Sequence, residues 1–155
     1  MALEITSRAF EHNGTIPKQH TCDGADEPPP LEWTGVPAGT TSLALIVDDP
    51  DAPDPNAPQR TFVHWVLYNI PPAETGLAAD GSPPDGARTG KNDGKRTGYM
   101  GPCPPIGRHR YFFKLYALDT VLDDGLTTKA ELERAMEGHV LERAELIGTY
   151  ERRAK

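Results

Sequence analysis

The apolar runs of this 155-residue chain are short, and proline or glycine separates them at close intervals. The 16 prolines and 15 glycines end helices and are typical of turns and ordered loops. Apolar runs of this length between turn residues predict β-strands rather than helices. We therefore expect a mainly β protein, and the length suits a single domain over residues 1–155.

Three strong strands are predicted, at residues 41–47, 60–70 and 110–119. The second is apolar on both faces, which is typical of a strand inside a sheet that is covered on both sides. The polar segment 73–101 predicts a long loop that is functional or mobile. Further on, Thr128 to Glu131 fits a capping box before a short helix, Gly138 marks the end of that helix, and a last strand is expected at 144–150.

Polar residues cluster where the strong strands begin and end. The stretch DDPDAP follows the first strand, His64 lies in the second, and GPCPPIGRHRY at 101–111 leads into the third. If these strands are neighbours, Asp49, Asp51, His64 and His109 converge at one end of the sheet. An imidazolium held by a carboxylate is a good donor to phosphate, and a Gly/Pro-rich loop exposes backbone N–H groups that bind anions. The pattern predicts a small-anion site, in which the aspartates could also accept an ammonium group.

Three blocks of the sequence resemble the phosphatidylethanolamine-binding protein family, which includes the Raf kinase inhibitor proteins. The blocks are DPDAP at 49–53, FVHWVLYNIP at 62–71 and GPCPPIGRHRYFFKLYALD at 101–119. Further matches to small bacterial and archaeal members, at 22–24, 29–40 and 135–152, extend the resemblance over nearly the whole chain. It implies an antiparallel Greek-key β-sandwich, to which the patterns along the chain add one or two short helices near the C-terminus. It also implies a pocket for phosphate or phosphoethanolamine-like head groups, and we expect no cofactor.

The resemblance implies which residues form the pocket. They are Asp49, Asp51, His64, Gly101, Pro102, His109 and Tyr111. Phe62 stands where eukaryotic members often have tryptophan, so an indole N–H donor is missing. Two further expectations are a homodimer and, as an alternative function, a regulator that inhibits a kinase or a protease through protein contacts.

Other interpretations of these residues stay open on the sequence alone. DDPDAP could be a rigid turn, and His64 could be a core histidine. The two aspartates and two histidines are admissible metal ligands, but they lack the dense spacing of a metal motif. Cys103 lies near His109, as a thiol nucleophile would, and a slow acid–base hydrolase is a third function class. The chain has no GxSxG context and no P-loop pattern.

Charge and hydropathy limit the partners and the compartment. The net charge of −7 and the pI of about 5.2 argue against nucleic-acid binding. No stretch resembles a signal peptide or is long enough to span a membrane, so we expect a cytoplasmic protein without membrane insertion. In that compartment Cys22 and Cys103, which lack CxxC spacing, are expected to be reduced thiols.

Overall fold

The computed structural model describes residues 2–77 and 83–152, and these ranges form two β-sheets with one α-helix. The strands are β1 Glu4–Thr6, β2 Gly14–Thr15, β3 Leu31–Thr34, β4 Ser42–Ala52, β5 Arg60–Ile70, β6 Gly76–Leu77, β7 Arg88–Thr89, β8 His109–Leu118 and β9 Val140–Tyr150. The helix α1 is Lys129–Met136, and a single 3-10 turn lies at Lys18–His20. The mainly β fold class is confirmed.

The larger sheet has the order β2-β9-β8-β4-β5-β7, and the smaller has the order β1-β3-β6. All pairings between these strands are antiparallel except the short one between β2 and β9. One face of the larger sheet, here called the sandwich face, packs against the smaller sheet through a core that includes Leu45, Trp33 and Phe113. The opposite face, here called the helix face, packs against Leu132 and Met136 of α1.

The first strong strand is longer than predicted. We expected it to end at Val47, but β4 continues to Ala52 and takes in most of DDPDAP, so this stretch is not a simple turn. The pairing with β5 shifts register between Val47 and Asp48, and again between Asp49 and Ala52. Proline lacks the N–H that a regular ladder needs, and an irregular pairing of this kind accommodates Pro50. The Ala52–Pro53 peptide bond is cis.

The later elements follow the predicted pattern closely. The boundaries of β5 match the prediction, and those of β8 are shifted by one residue at each end. Thr128 and Glu131 form the predicted capping box, and Gly138 follows the helix with a φ of 80°. The last strand begins at Val140, earlier than expected. The long segment 73–101 is not simply a loop, because β6 and β7 lie within it; residues 78–82 of that segment are outside the described ranges.

The expectation of reduced thiols is wrong in this structure. Cys22 and Cys103 form a disulfide with a Cα–Cα distance of 5.4 Å across a sequence separation of 81 residues. The error came from inferring the compartment first and the thiol state from it, whereas the fold brings the two loops together. Among the described residues, none of the helices is long and apolar enough to cross a membrane.

Candidate functional site

A cavity of about 300 Å³ lies at one end of the larger sheet. Here β4 ends, β5 begins and β8 begins, because antiparallel neighbours place opposite ends side by side. Residues 100–105 close one side of the cavity. The lining residues are Asp49, Ala52, Pro53, Arg60, Phe62, His64, Met100, Gly101, Cys103, Pro104, Pro105, His109 and Tyr111.

His64 reaches the cavity through a β-bulge. Val47 of β4 lies opposite Trp65, and the next residue, Asp48, lies opposite Val63, so His64 is the extra residue of β5. A bulge of this kind breaks the alternation of side chains and often re-aims a residue beside a site. His64 therefore lies on the same face as Trp65, which belongs to the sandwich-face core.

The ring of His64 is fixed on one side only. Its Nδ1 atom lies 2.6 Å from the carbonyl oxygen of Met100, and the backbone N–H of Met100 in turn donates to the His64 carbonyl. Burial lowers the pKa of His64 below its usual value, because the charged ring would lose its hydration. The neutral ring therefore donates from Nδ1 to Met100.

Asp49 and His109 form a buried pair on the opposite wall. The Asp49 Oδ2 atom lies 2.6 Å from Nδ1 of His109. The Nε2 atom of the same ring lies 2.8 Å from the carbonyl oxygen of Ile106 and 3.1 Å from that of Pro53. All three partners are acceptors, so both ring nitrogens donate, which is the bonding of an imidazolium beside a carboxylate. We had expected this histidine to donate to the ligand, but protein oxygens occupy both of its N–H groups.

Asp51 lies beside the cavity and holds Arg110. Its carboxylate accepts from the backbone N–H of Arg110 at 2.9 Å and from the guanidinium at 2.9 and 3.0 Å. These bonds to Arg110 hold the pKa of Asp51 below its usual value. The Asp51 N–H donates to Asp49 Oδ1 at 2.7 Å, so the chain of contacts continues to His109. Asp51 thus positions its neighbours and is not part of the cavity lining.

Four residues of the loop before β8 offer no free backbone N–H group to a ligand. The N–H of Gly101 donates to Asp26 Oδ1 at 2.8 Å, and Pro102, Pro104 and Pro105 have none. A side chain at Gly101 would clash with Asp26 and with the carbonyl oxygen of His20, so only glycine allows this close approach.

Besides His64, two lining residues have polar groups that are available to a ligand. The Arg60 guanidinium lies over the Phe62 ring, 5.3 Å from its centroid, and forms no ion pair with any residue in the described ranges. The Tyr111 hydroxyl has no hydrogen-bond partner among those residues either, and burial raises its pKa, so it keeps its proton. The sequence analysis did not name Arg60. Its position four residues before His64, on an alternating strand, was the signal that could have found it.

The structure places five of the seven predicted residues on the cavity wall: Asp49, His64, Gly101, His109 and Tyr111. Pro102 and Asp51 are not among the lining residues. The disulfide leaves Cys103 without the thiol that nucleophilic catalysis needs. Among residues 2–77 and 83–152, no group of three or more histidine, cysteine, aspartate or glutamate side chains could hold a metal ion.

The fold and the cavity define a β-sandwich protein with a small pocket at one end of its larger sheet, lined by apolar side chains and a few polar ones. The sequence matches the phosphatidylethanolamine-binding protein family over residues 6–151, and the chain belongs to that family. The UPF0098 protein of Methanothermobacter thermautotrophicus is 52% identical over 155 residues, covering 97% of this chain and 99% of that protein.

Two solved structures are similar over nearly their whole length. A phosphatidylethanolamine-binding protein homologue from Chlamydia trachomatis is 42% identical with a TM-score of 0.91, covering 98% of this chain and 99% of that one. YbcL from E. coli is 32% identical with a TM-score of 0.87, covering 99% and 100%. The resemblance noted from the sequence is therefore confirmed.

Proposed function

We propose that this chain is a binding protein for small phosphorylated ligands, which it holds in the cavity between β4, β5 and β8. The observation that carries the proposal is the balance of charge at the cavity. Asp49 is neutralised by His109, and Asp51 by Arg110, at distances of 2.6 and 2.9 Å. Among the charged lining residues, Arg60 therefore has a guanidinium that is free to pair with a ligand. A free guanidinium favours an anionic ligand.

The shape of the cavity supports a small ligand. A volume of about 300 Å³ is at the lower end of ligand pockets. The Tyr111 hydroxyl and the Arg60 guanidinium can each donate to a phosphate oxygen. Phe62, Met100 and the prolines beside them give an apolar surface for the carbon chain of an ester such as phosphoethanolamine.

The test is a calorimetric titration with inorganic phosphate and with phosphoethanolamine. We expect saturable binding of both, and Arg60→Gln should weaken it by about tenfold or more, the effect of one charge-assisted hydrogen bond. Arg108→Gln is the matched control, because Arg108 contacts Thr15 and Thr149 outside the cavity and its loss should leave the affinity unchanged. Tighter binding of phosphoethanolamine would indicate a head group rather than free phosphate. Absence of saturable binding would refute the proposal.

We expect no turnover of the ester. The two nitrogens of His109 are occupied, and the thiol that Cys103 would supply is in the disulfide. Assay of the titrated phosphoethanolamine samples for released phosphate checks this expectation. The regulator of a kinase or protease, the homodimer and the cytoplasmic location remain predictions from the sequence.

A further inference from the structure

The unoccupied nitrogen of His64 is the starting point. The Nδ1–H group donates to the carbonyl oxygen of Met100 at 2.6 Å, and Nε2 has no partner within the described ranges. In the same part of the chain, no fully enclosed side-chain nitrogen or oxygen lacks a hydrogen-bond partner. Nε2 must therefore face open space, and the cavity is the space that His64 lines. On a neutral ring this atom carries a lone pair and accepts hydrogen bonds.

Charged and titratable groups near His64 influence whether its ring stays neutral. Within the cavity these are Asp49 from β4, Tyr111 and His109 from β8, and Arg60 from its own strand. The Tyr111 ring lies edge-on at a centroid distance of 5.2 Å, and it holds His64 in place without contributing a charge. Asp49 favours a charged His64 ring, but its carboxylate already neutralises His109.

Two more distant carboxylates, Asp48 and Asp93, also favour a charged ring. Asp48 faces Lys114 and Lys129 on the helix face, and Asp93 accepts the backbone N–H of Val63 at 2.8 Å. Each is thus held by other groups. The side chain of His64 is buried, the residue being only 5% exposed, and desolvation is the larger effect.

We propose that His64 Nε2 is a hydrogen-bond acceptor of the site, and that it selects tetrahedral anions carrying a proton on oxygen over fully deprotonated ones. Inorganic phosphate at neutral and mildly alkaline pH retains one P–O–H group, which donates to Nε2. A phosphomonoester such as phosphoethanolamine retains one only near or below its second pKa of about 6, so its affinity should rise as the pH falls toward that value. Sulfate has the same shape and charge, but its oxygens only accept, so one of them would face the lone pair of Nε2 with no hydrogen between them. This inference rests on the proposed function and adds the protonation state of the ligand to it.

The matched pair of ions supplies the test. Calorimetric titration of the wild-type protein at about pH 8 should show phosphate binding at least about tenfold more tightly than sulfate, the effect of one hydrogen bond to a charged group. Equal affinities would overturn the selection by His64 while leaving the anion pocket in place. If neither ion binds, the proposed function fails and the inference fails with it.

A variant identifies the responsible atom. The amide of His64→Gln reaches the region of Nε2 and can turn an N–H group toward the ligand, so the ratio of phosphate to sulfate affinity should fall toward one. His139→Gln is the control, because His139 is exposed and pairs with Asp119 away from the cavity; its ratio should equal that of the wild type. A His64→Gln variant that keeps the wild-type ratio would overturn the inference.

A measurement on the wild-type protein covers the case in which His64→Gln does not fold. Nitrogen-15 NMR of the imidazole rings reports which nitrogen carries a proton. We expect a protonated Nδ1 and a bare Nε2 for His64, both free and with phosphate bound. A proton on Nε2 in either state would overturn the inference.

Discussion

Two adjacent carboxylates of β4 point to opposite faces of the larger sheet and lie in different surroundings. Asp48 and Asp49 are neighbours on β4, and both are buried. Asp48 points to the helix face, where Lys114 and Lys129 lie 3.1 and 2.7 Å from its Oδ2 atom. Asp49 points to the sandwich face, where it pairs with His109 beside the cavity.

Both faces contain a buried carboxylate with cationic partners, so such an ion pair does not by itself identify the candidate site. On both, the carboxylate meets cationic partners that neutralise it, as the cost of burying a charge requires. The faces differ in what lies next to the pair. Around Asp49, the Nε2 of His64 and the hydroxyl of Tyr111 face open space, whereas the lysines around Asp48 are held by that carboxylate. Polar atoms left open for a ligand, rather than a buried charge, therefore distinguish the candidate site from the helix face.

The disulfide gives the largest expected effect on the sandwich face, because it fixes the loop that carries Cys103 on the cavity wall. Replacing Cys22 and Cys103 together by serine should lower the free energy of unfolding by about 4.5 kcal/mol, the chain-entropy value for a cross-link spanning 81 residues. Urea unfolding of the oxidised wild type, the reduced wild type and the double variant checks it. The last two should agree, and a double variant as stable as the oxidised protein would contradict the prediction.

The helix face gives the next largest effect. Asp48→Asn should lower the free energy of unfolding by about 3 kcal/mol, because two partly buried ammonium groups lose their counter-charge. Phosphate affinity should be unchanged, since the side chain lies on the other side of the sheet from the cavity. Asp49→Asn is the matched comparison: it should weaken phosphate binding as well as stability, because His109 loses its carboxylate. Equal effects of the two variants on phosphate affinity would break the distinction between the faces.

Much of the framework is readable from the sequence, because strand periodicity and capping are local properties. The boundaries of β5 and the capping box at Thr128 follow from patterns within a few residues. The convergence of three strand ends was predicted only on the condition that these strands are neighbours, which the structure supplies. The short strands β1, β2, β3, β6 and β7 were missed, since two to four residues are too few to show a period. Of these, β6 and β7 form by pairing with the edges of β3 and β5.

The details of the site depend on tertiary contacts that no local pattern reveals. The bulge at His64 depends on the pairing register with β4, and the carbonyl of Met100 that fixes its ring comes from 36 residues away. The sequence predicted that histidines and aspartates would meet, but not that His109 would have both nitrogens occupied. Nor could it show that Asp51 would hold Arg110 rather than line the cavity.

The pH dependence of stability is the smallest expected effect, and it tests whether His64 is neutral in the folded protein. Its pKa is lowered in the folded state, while the unfolded chain has the ordinary value of about 6.5. As the pH falls below that value, the unfolded state takes up a proton that the folded state does not yet bind, so stability decreases. The slope contributed by one such proton is at most about 1.4 kcal/mol per pH unit.

Unfolding by urea between pH 7 and about pH 5.5 measures the effect. The wild type should lose about 1 kcal/mol more than His64→Gln over this range, because the glutamine does not titrate. His139→Gln should keep the part of the pH dependence that comes from His64, since His139 is exposed and pairs with Asp119 away from the cavity. Parallel curves for the wild type and His64→Gln would mean that folding does not favour the neutral ring. The lone pair assigned to Nε2 would then lose its support, while the closed ion pair at Asp48 would be unaffected.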